Sequence, residues 1–129
     1  MRKRILIVDD EKALLIAMRR LFKKFKTDYE VFTTTNSVEV PRMIEEFAID
    51  ILVTDILMPD KDGLELIIEV RKKYPLVKII AMSGGGVIGK EEYLDMAKRL
   101  GSLYSLRKPF SNDELISALK NVVADEESC

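Results

Sequence analysis

Ile5-Leu6-Ile7-Val8-Asp9-Asp10, near the start of the chain, is a short apolar run stopped abruptly by two acids. Four apolar side chains in succession, with no alternation, suit a strand buried on both faces, as parallel strands are. The same form recurs downstream. Asp50-Ile51-Leu52-Val53-Thr54 runs into Asp55, and Val77-Lys78-Ile79-Ile80-Ala81-Met82 runs into Ser83. A shorter stretch, Leu103-Tyr104-Ser105-Leu106, leads to Lys108-Pro109. The aromatic and β-branched segment Tyr29-Glu30-Val31-Phe32-Thr33-Thr34 supplies a further strand.

Helical spacing fills the intervals. Over 11–25 the apolar residues Leu14, Leu15, Met18, Leu21, Phe22 and Phe25 recur on one face. Asn36 or Ser37 can cap a second helix reaching about Phe47, with Pro41 best placed in its first turn. A third helix is predicted over 63–74 from Leu64, Ile67, Ile68 and Val70, and Pro75 follows its end. A fourth is predicted over 90–100, stopped by Gly101. Ser111 and Glu114 form a capping box that opens the last helix, which carries Leu115, Ile116, Leu119, Val122 and Val123 to about Ala124. Five strands alternating with five helices predict βα crossovers, a mostly parallel five-stranded sheet and an α/β fold. Residues 1–129 are expected to form one domain, with its core over about 4–124 and no output domain after it.

Composition narrows the chemistry. Of 129 residues, 47% are apolar, and 21 Lys and Arg against 22 Asp and Glu leave a net charge of -1. That balance argues against disorder and against direct nucleic-acid binding. Without histidine, and with its single cysteine at position 129, the chain has no histidine triad, no usual zinc site and no internal disulfide. No apolar stretch is long enough for membrane insertion or a signal peptide, so a cytoplasmic location is expected. Carboxylates, hydroxyls, lysines and backbone remain to do chemistry.

In open parallel sheets, ligands bind beyond the carboxyl ends of the strands. Asp9, Asp10, Asp55, Ser83 and Lys108 all fall there. Asp9-Asp10 could merely start a helix, where negative charge is favoured. One aspartate would serve for that, whereas three acids on one rim repel unless a cation joins them. Hard oxygen ligands of this kind suit Mg²⁺. Lys108 could be an ordinary solvated lysine, but Pro109 restricts the bend just after it. Gly84-Gly85-Gly86 reads as a loop. Together these residues suggest phosphoryl chemistry, because an aspartate can form an acyl phosphate and such transfers depend on positioning and charge.

Four fragments in order, Val8-Asp9-Asp10-Glu11, then Asp55-Ile56-Leu57-Met58-Pro59-Asp60-Lys61-Asp62-Gly63, then Ala81-Met82-Ser83-Gly84, then Lys108-Pro109-Phe110, resemble the receiver domain of two-component response regulators. The resemblance spans about 4–124 and implies a doubly wound, flavodoxin-like sheet of order 2-1-3-4-5. It implies that Asp55 takes a phosphoryl group from a phosphohistidine on a sensor histidine kinase or phosphotransfer protein. Asp10, Asp55 and the main-chain carbonyl of Leu57 would ligate Mg²⁺, with Asp9 helping through water. Ser83 and Lys108 would bind phosphoryl oxygens, and Pro59 with Asp62-Gly63 would shape the loop into the third helix. The chain would catalyse only its own phosphorylation and slow autodephosphorylation, and would switch the binding of a downstream protein.

Two features depart from the family's usual pattern. The interval from Ser83 to Lys108 is about three residues longer than usual, and the aromatic common three positions before the lysine is replaced by Ser105, with Tyr104 one residue early. Strand alternation turns Tyr104 to the opposite face, toward the last helix. The rival reading is a small Mg²⁺-dependent phosphohydrolase with an aspartyl nucleophile. Enzymes of the haloacid-dehalogenase type carry a second acid two residues after that nucleophile, and here the position is Leu57. Charge is also uneven along the chain, since residues 1–26 hold nine Lys and Arg against three acids, while 109–129 hold one Lys against five.

Overall fold

The computed structural model describes residues 3–24, 29–56, 63–83, 98–99, 104–108 and 110–127, the side chains of 125–127 excepted. Its elements run β1 (Lys3–Val8), α1 (Lys12–Lys24), β2 (Tyr29–Thr34), a 3-10 turn (Ser37–Glu39), α2 (Val40–Phe47), β3 (Ile51–Asp55), α3 (Gly63–Lys73), β4 (Lys78–Ser83), β5 (Tyr104–Arg107) and α4 (Asn112–Glu127). All strands pair in parallel, in the order β2-β1-β3-β4-β5. The α/β class expected from the apolar patterning and the 2-1-3-4-5 order implied by the resemblance are both present.

Continuous apolar strands are what a sheet covered on both faces requires, and side-chain alternation divides them between two cores. Leu6, Val8, Leu52, Ile79 and Ala81 point to one face, where Val40, Met43 and Ile44 of α2 and Leu64, Ile67 and Val70 of α3 cover them. Ile5, Ile7, Ile51, Val53, Ile80 and Met82 point to the other, under Leu15, Met18 and Phe22 of α1 and Leu115, Leu119 and Val122 of α4. Each fully buried Ile, Leu or Val contributes about 1.5–3 kcal/mol by leaving water. The two cores hold the strand ends in place from both sides.

Several local expectations shift. The second helix begins in two steps: Asn36 Oδ1 accepts the Val38 N–H at 3.0 Å to cap the 3-10 turn, and α2 follows with Pro41 in its first turn. On α3, Leu66 is buried and Ile68 is half exposed, because the covered stripe is turned relative to the predicted one. The capping box of α4 is half formed. Glu114 N–H donates to Ser111 Oγ at 3.1 Å, while the Ser111 hydroxyl itself faces the Glu114 carboxylate at 3.4 Å. That helix also runs on to Glu127, past the predicted end. The fourth predicted helix lies outside the described residues except for Lys98 and Arg99, which are helical and exposed. Among the described residues, no helix is long and apolar enough to cross a membrane.

Candidate functional site

Strand register brings the acids together before any side chain is considered. β1 and β3 pair with Val8 opposite Thr54, so the next residues, Asp9 and Asp55, are neighbours on strands about 4.8 Å apart. β3 and β4 pair with Asp55 opposite Met82, which sets Ser83 one step further along the same rim. The Ser83 carbonyl accepts the Lys108 N–H at 2.7 Å. Asp10 follows Asp9 directly, and the whole set stands at the carboxyl ends of four adjacent strands.

One carboxylate oxygen from each of Asp9, Asp10 and Asp55 lies within 4.8 Å of the other two. Their burial differs. Asp9 is fully buried, Asp55 is 5% exposed, and Asp10 is open to solvent. Lys108 is not the solvated lysine its residue type would suggest. Its Nζ donates to Asp9 Oδ2 and, at 3.1 Å, to Asp55 Oδ2. Asp9 Oδ1 accepts the Glu11 N–H at 2.9 Å. The helix-start role considered for Asp9 is therefore present as well, on the oxygen that does not meet the lysine.

Burial pushes the Asp9 carboxyl above the ordinary aspartate range, and the neighbouring Asp55 charge adds to this; the Lys108 ammonium and the Glu11 N–H offset it only in part. For Lys108, burial by itself would lower the pKa. The hydrogen bond to Asp9 and the charges of Asp55 and Asp9 outweigh burial, and the ammonium is held above the ordinary lysine range. The two directions oppose each other across one contact. The lysine's is the firmer, because two carboxylates act on it at hydrogen-bonding distance and both favour its charged form.

Ser83 is 2% exposed, and among the described residues its Oγ has no hydrogen-bond partner. A buried hydroxyl left unpaired is costly, and this one stands on the same rim as Asp55. The backbone around Asp55 is fixed closely. Thr54 Oγ1 donates to the Asp55 carbonyl at 3.0 Å, and Gly63 N–H donates to the Ile56 carbonyl at 3.2 Å. A Cβ on Gly63 would stand 2.2 Å from the Asp55 carbonyl oxygen and 2.4 Å from Ile56 Cα. Glycine is required because the first residue of α3 packs directly on the end of β3.

Five of the six catalytic and metal-binding candidates, Asp9, Asp10, Asp55, Ser83 and Lys108, thus meet on one rim. Leu57, whose carbonyl was expected to complete a metal site, lies outside the described residues, as do Pro59, Asp62 and Pro109. Glu11 had not been singled out. Its Oε1 stands 3.9 Å from Lys108 Nζ, and its place beside Asp9-Asp10 was the available signal. On β5, Tyr104 packs with Leu106 against the core that α4 supplies, and Ser105 faces solvent, as strand alternation required. Three carboxylates offering hard oxygens around one point, two of them buried, fit a small divalent cation such as Mg²⁺.

The sequence pattern of the response regulator receiver domain matches residues 5–120. Among solved structures, a response regulator receiver domain protein (CheY-like) from Methanospirillum hungatei is 28% identical, with a TM-score of 0.87, over 99% of this chain and 98% of that one. A response regulator receiver domain protein from Clostridium thermocellum is also 28% identical, with a TM-score of 0.86, over 97% of each chain. A putative response regulator from Chloroflexus aurantiacus is 26% identical, with a TM-score of 0.83, over 96% of this chain and 99% of that one. With the match running from the first acidic strand end through to the last helix, over a sheet of the same order, this chain belongs to the response regulator receiver domain family of two-component systems.

Proposed function

We propose that the protein is a phosphoacceptor signalling domain in which the Asp55 carboxylate takes a phosphoryl group from a phosphohistidine on a sensor histidine kinase or phosphotransfer protein. A carboxylate oxygen attacks phosphorus, the P–N bond to the imidazole breaks, and the imidazole leaves with a proton to become neutral. The observation that carries this reading is the setting of Asp55. It closes a buried strand, with the Lys108 ammonium 3.1 Å from its Oδ2 and, at the neighbouring strand end, the Ser83 hydroxyl, which has no partner among the described residues. Lys108 would neutralise one phosphoryl oxygen and Ser83 would donate to another, which is most of what a loose phosphoryl transfer asks of a protein.

Asp10, Asp55 and the Leu57 carbonyl would hold Mg²⁺, with Asp9 in support, and the bound ion would supply positive charge to the phosphoryl oxygens. The phosphorylated form would then bind a downstream protein differently from the free form. A cytoplasmic location suits a chain whose donors carry phosphoryl groups derived from nucleotide. The phosphohydrolase reading loses its second acid, since Leu57 stands where that acid would be.

Incubation with a small acyl phosphate and Mg²⁺, followed by intact-mass spectrometry, is expected to show one phosphoryl group added to the wild type and none to Asp55→Asn. Addition that persists in the variant would overturn the assignment.

A further inference from the structure

Lys108 is surrounded by more carboxylate than one ammonium needs. Its Nζ donates to Asp9 Oδ2 and to Asp55 Oδ2, and Glu11 Oε1 waits 3.9 Å away. The first two partners are also the buried members of the trio that fits a divalent cation. Asp9 has no oxygen to spare, because Oδ1 accepts the Glu11 N–H and Oδ2 accepts Lys108. The ammonium and a divalent cation therefore draw on the same two carboxylates, and like charges this close repel each other.

Glu11 stands apart from that competition. Its side chain is 67% exposed, against 0% for Asp9 and 7% for Asp55. It is not a member of the trio, and its backbone is tied to Asp9, directly before the first turn of α1. A carboxylate so placed can accept the lysine without surrendering an oxygen to the metal.

We propose that Glu11 is a positioning residue: it receives Lys108 when a divalent cation held by Asp55, with Asp9 in support, draws those two carboxylates away from the ammonium, and so keeps the ammonium at the rim, in reach of a phosphoryl group on Asp55. This rests on the metal-assisted phosphoacceptor reading above. It assigns Lys108 two stations, one bridging Asp9 and Asp55 without metal and one beside Glu11 with it.

Mg²⁺ affinity, measured by titration calorimetry across a double-mutant cycle, tests the coupling. Lys108→Met is expected to tighten Mg²⁺ binding by about tenfold, because a competing charge is removed. Glu11→Gln is expected to weaken binding about threefold in the wild-type background, the scale of an exposed ion pair, and to have less than half that effect alongside Lys108→Met. An equal effect of Glu11→Gln in both backgrounds would mean that Glu11 acts only through its field on the metal, and would overturn the proposal.

A second measurement needs no change at Lys108. The Lys108 ammonium resonance, which fast exchange hides when the group is free in water, is expected to remain visible by nuclear magnetic resonance on Mg²⁺ saturation of the wild type and to vanish in Glu11→Gln. Loss in both proteins, or persistence in both, would overturn the proposal. Failure of the wild type to bind millimolar Mg²⁺ would instead remove the metal-assisted reading itself, a result distinct from bound metal without coupling.

Discussion

Ser83 shows how a single side chain can be costly to the fold and useful to the site. Its buried hydroxyl lacks a partner among the described residues, and leaving such a group unpaired costs about 1–3 kcal/mol. Ser83→Ala is therefore expected to raise the thermal midpoint, by a gain of about 1 kcal/mol, while slowing phosphorylation of Asp55 by a small acyl phosphate. A midpoint that falls would mean that the hydroxyl is satisfied in the folded protein. Lys108 carries a pH signature of the opposite kind. Because its pKa is raised on folding, the stability from its ion pairs is complete below the ordinary lysine range and is lost as pH rises through the higher folded value. Thermal melts across the alkaline range are expected to show that loss in the wild type and much less of it in Lys108→Met. The variant should already be weaker at neutral pH by about 3 kcal/mol, since Asp9 loses its buried partner.

The junction of β3 with α3 sets the position of Asp55. The strand ends in the aspartate, and the helix starts with a glycine whose missing side chain leaves room for the strand's last carbonyl. Gly63→Ala would drive a methyl group into backbone on two sides, which side-chain rotation cannot relieve. A loss of about 1–3 kcal/mol is expected from such overpacking, read as a lower urea midpoint, together with slower phosphorylation because the carboxylate moves with its strand. An unchanged midpoint would mean that α3 can withdraw from β3 freely. The edge strand β5 shows a different use of alternation. Tyr104 and Leu106 enter the core and Ser105 faces water, so the side chain three positions before the lysine is too small and too exposed to act as an aromatic wedge.

Across the whole molecule, the site and the fold are linked through charge. Three carboxylates share one rim, and the fully buried Asp9 has its carboxyl pushed upward by burial. Whatever neutralises that rim stabilises the folded chain. Ligand linkage gives about 2.7 kcal/mol at a metal concentration one hundred times the dissociation constant. Mg²⁺ is therefore expected to raise the melting temperature by several degrees, chelation to reverse the rise, and Asp10→Asn to abolish it. A rise that survives Asp10→Asn would place the stabilising ion elsewhere.

How much of this was legible in the sequence follows from the range of the interactions involved. Strand and helix identity, the parallel class and the crowding of Asp9, Asp10, Asp55, Ser83 and Lys108 at strand ends depend on apolar patterning and chain direction, both of which are local. The strand over Tyr29–Thr34 and the inward turn of Tyr104 were legible for the same reason. Helix margins were less so. The break between the 3-10 turn and α2, and the exchange of Ile68 for Leu66 on the buried side of α3, depend on how each helix settles on the sheet. Other features were decided only by tertiary structure, because they arise between residues far apart in the chain. These are the ammonium of Lys108 bridging Asp9 and Asp55 across 99 and 53 positions of sequence, the hydroxyl of Ser83 left without a partner among the described residues, and the carboxylate of Glu11 within reach of the lysine. Sequence pattern determines which residues reach the rim; the register and packing of the folded sheet determine which of them meet as hydrogen-bonded and ion pairs.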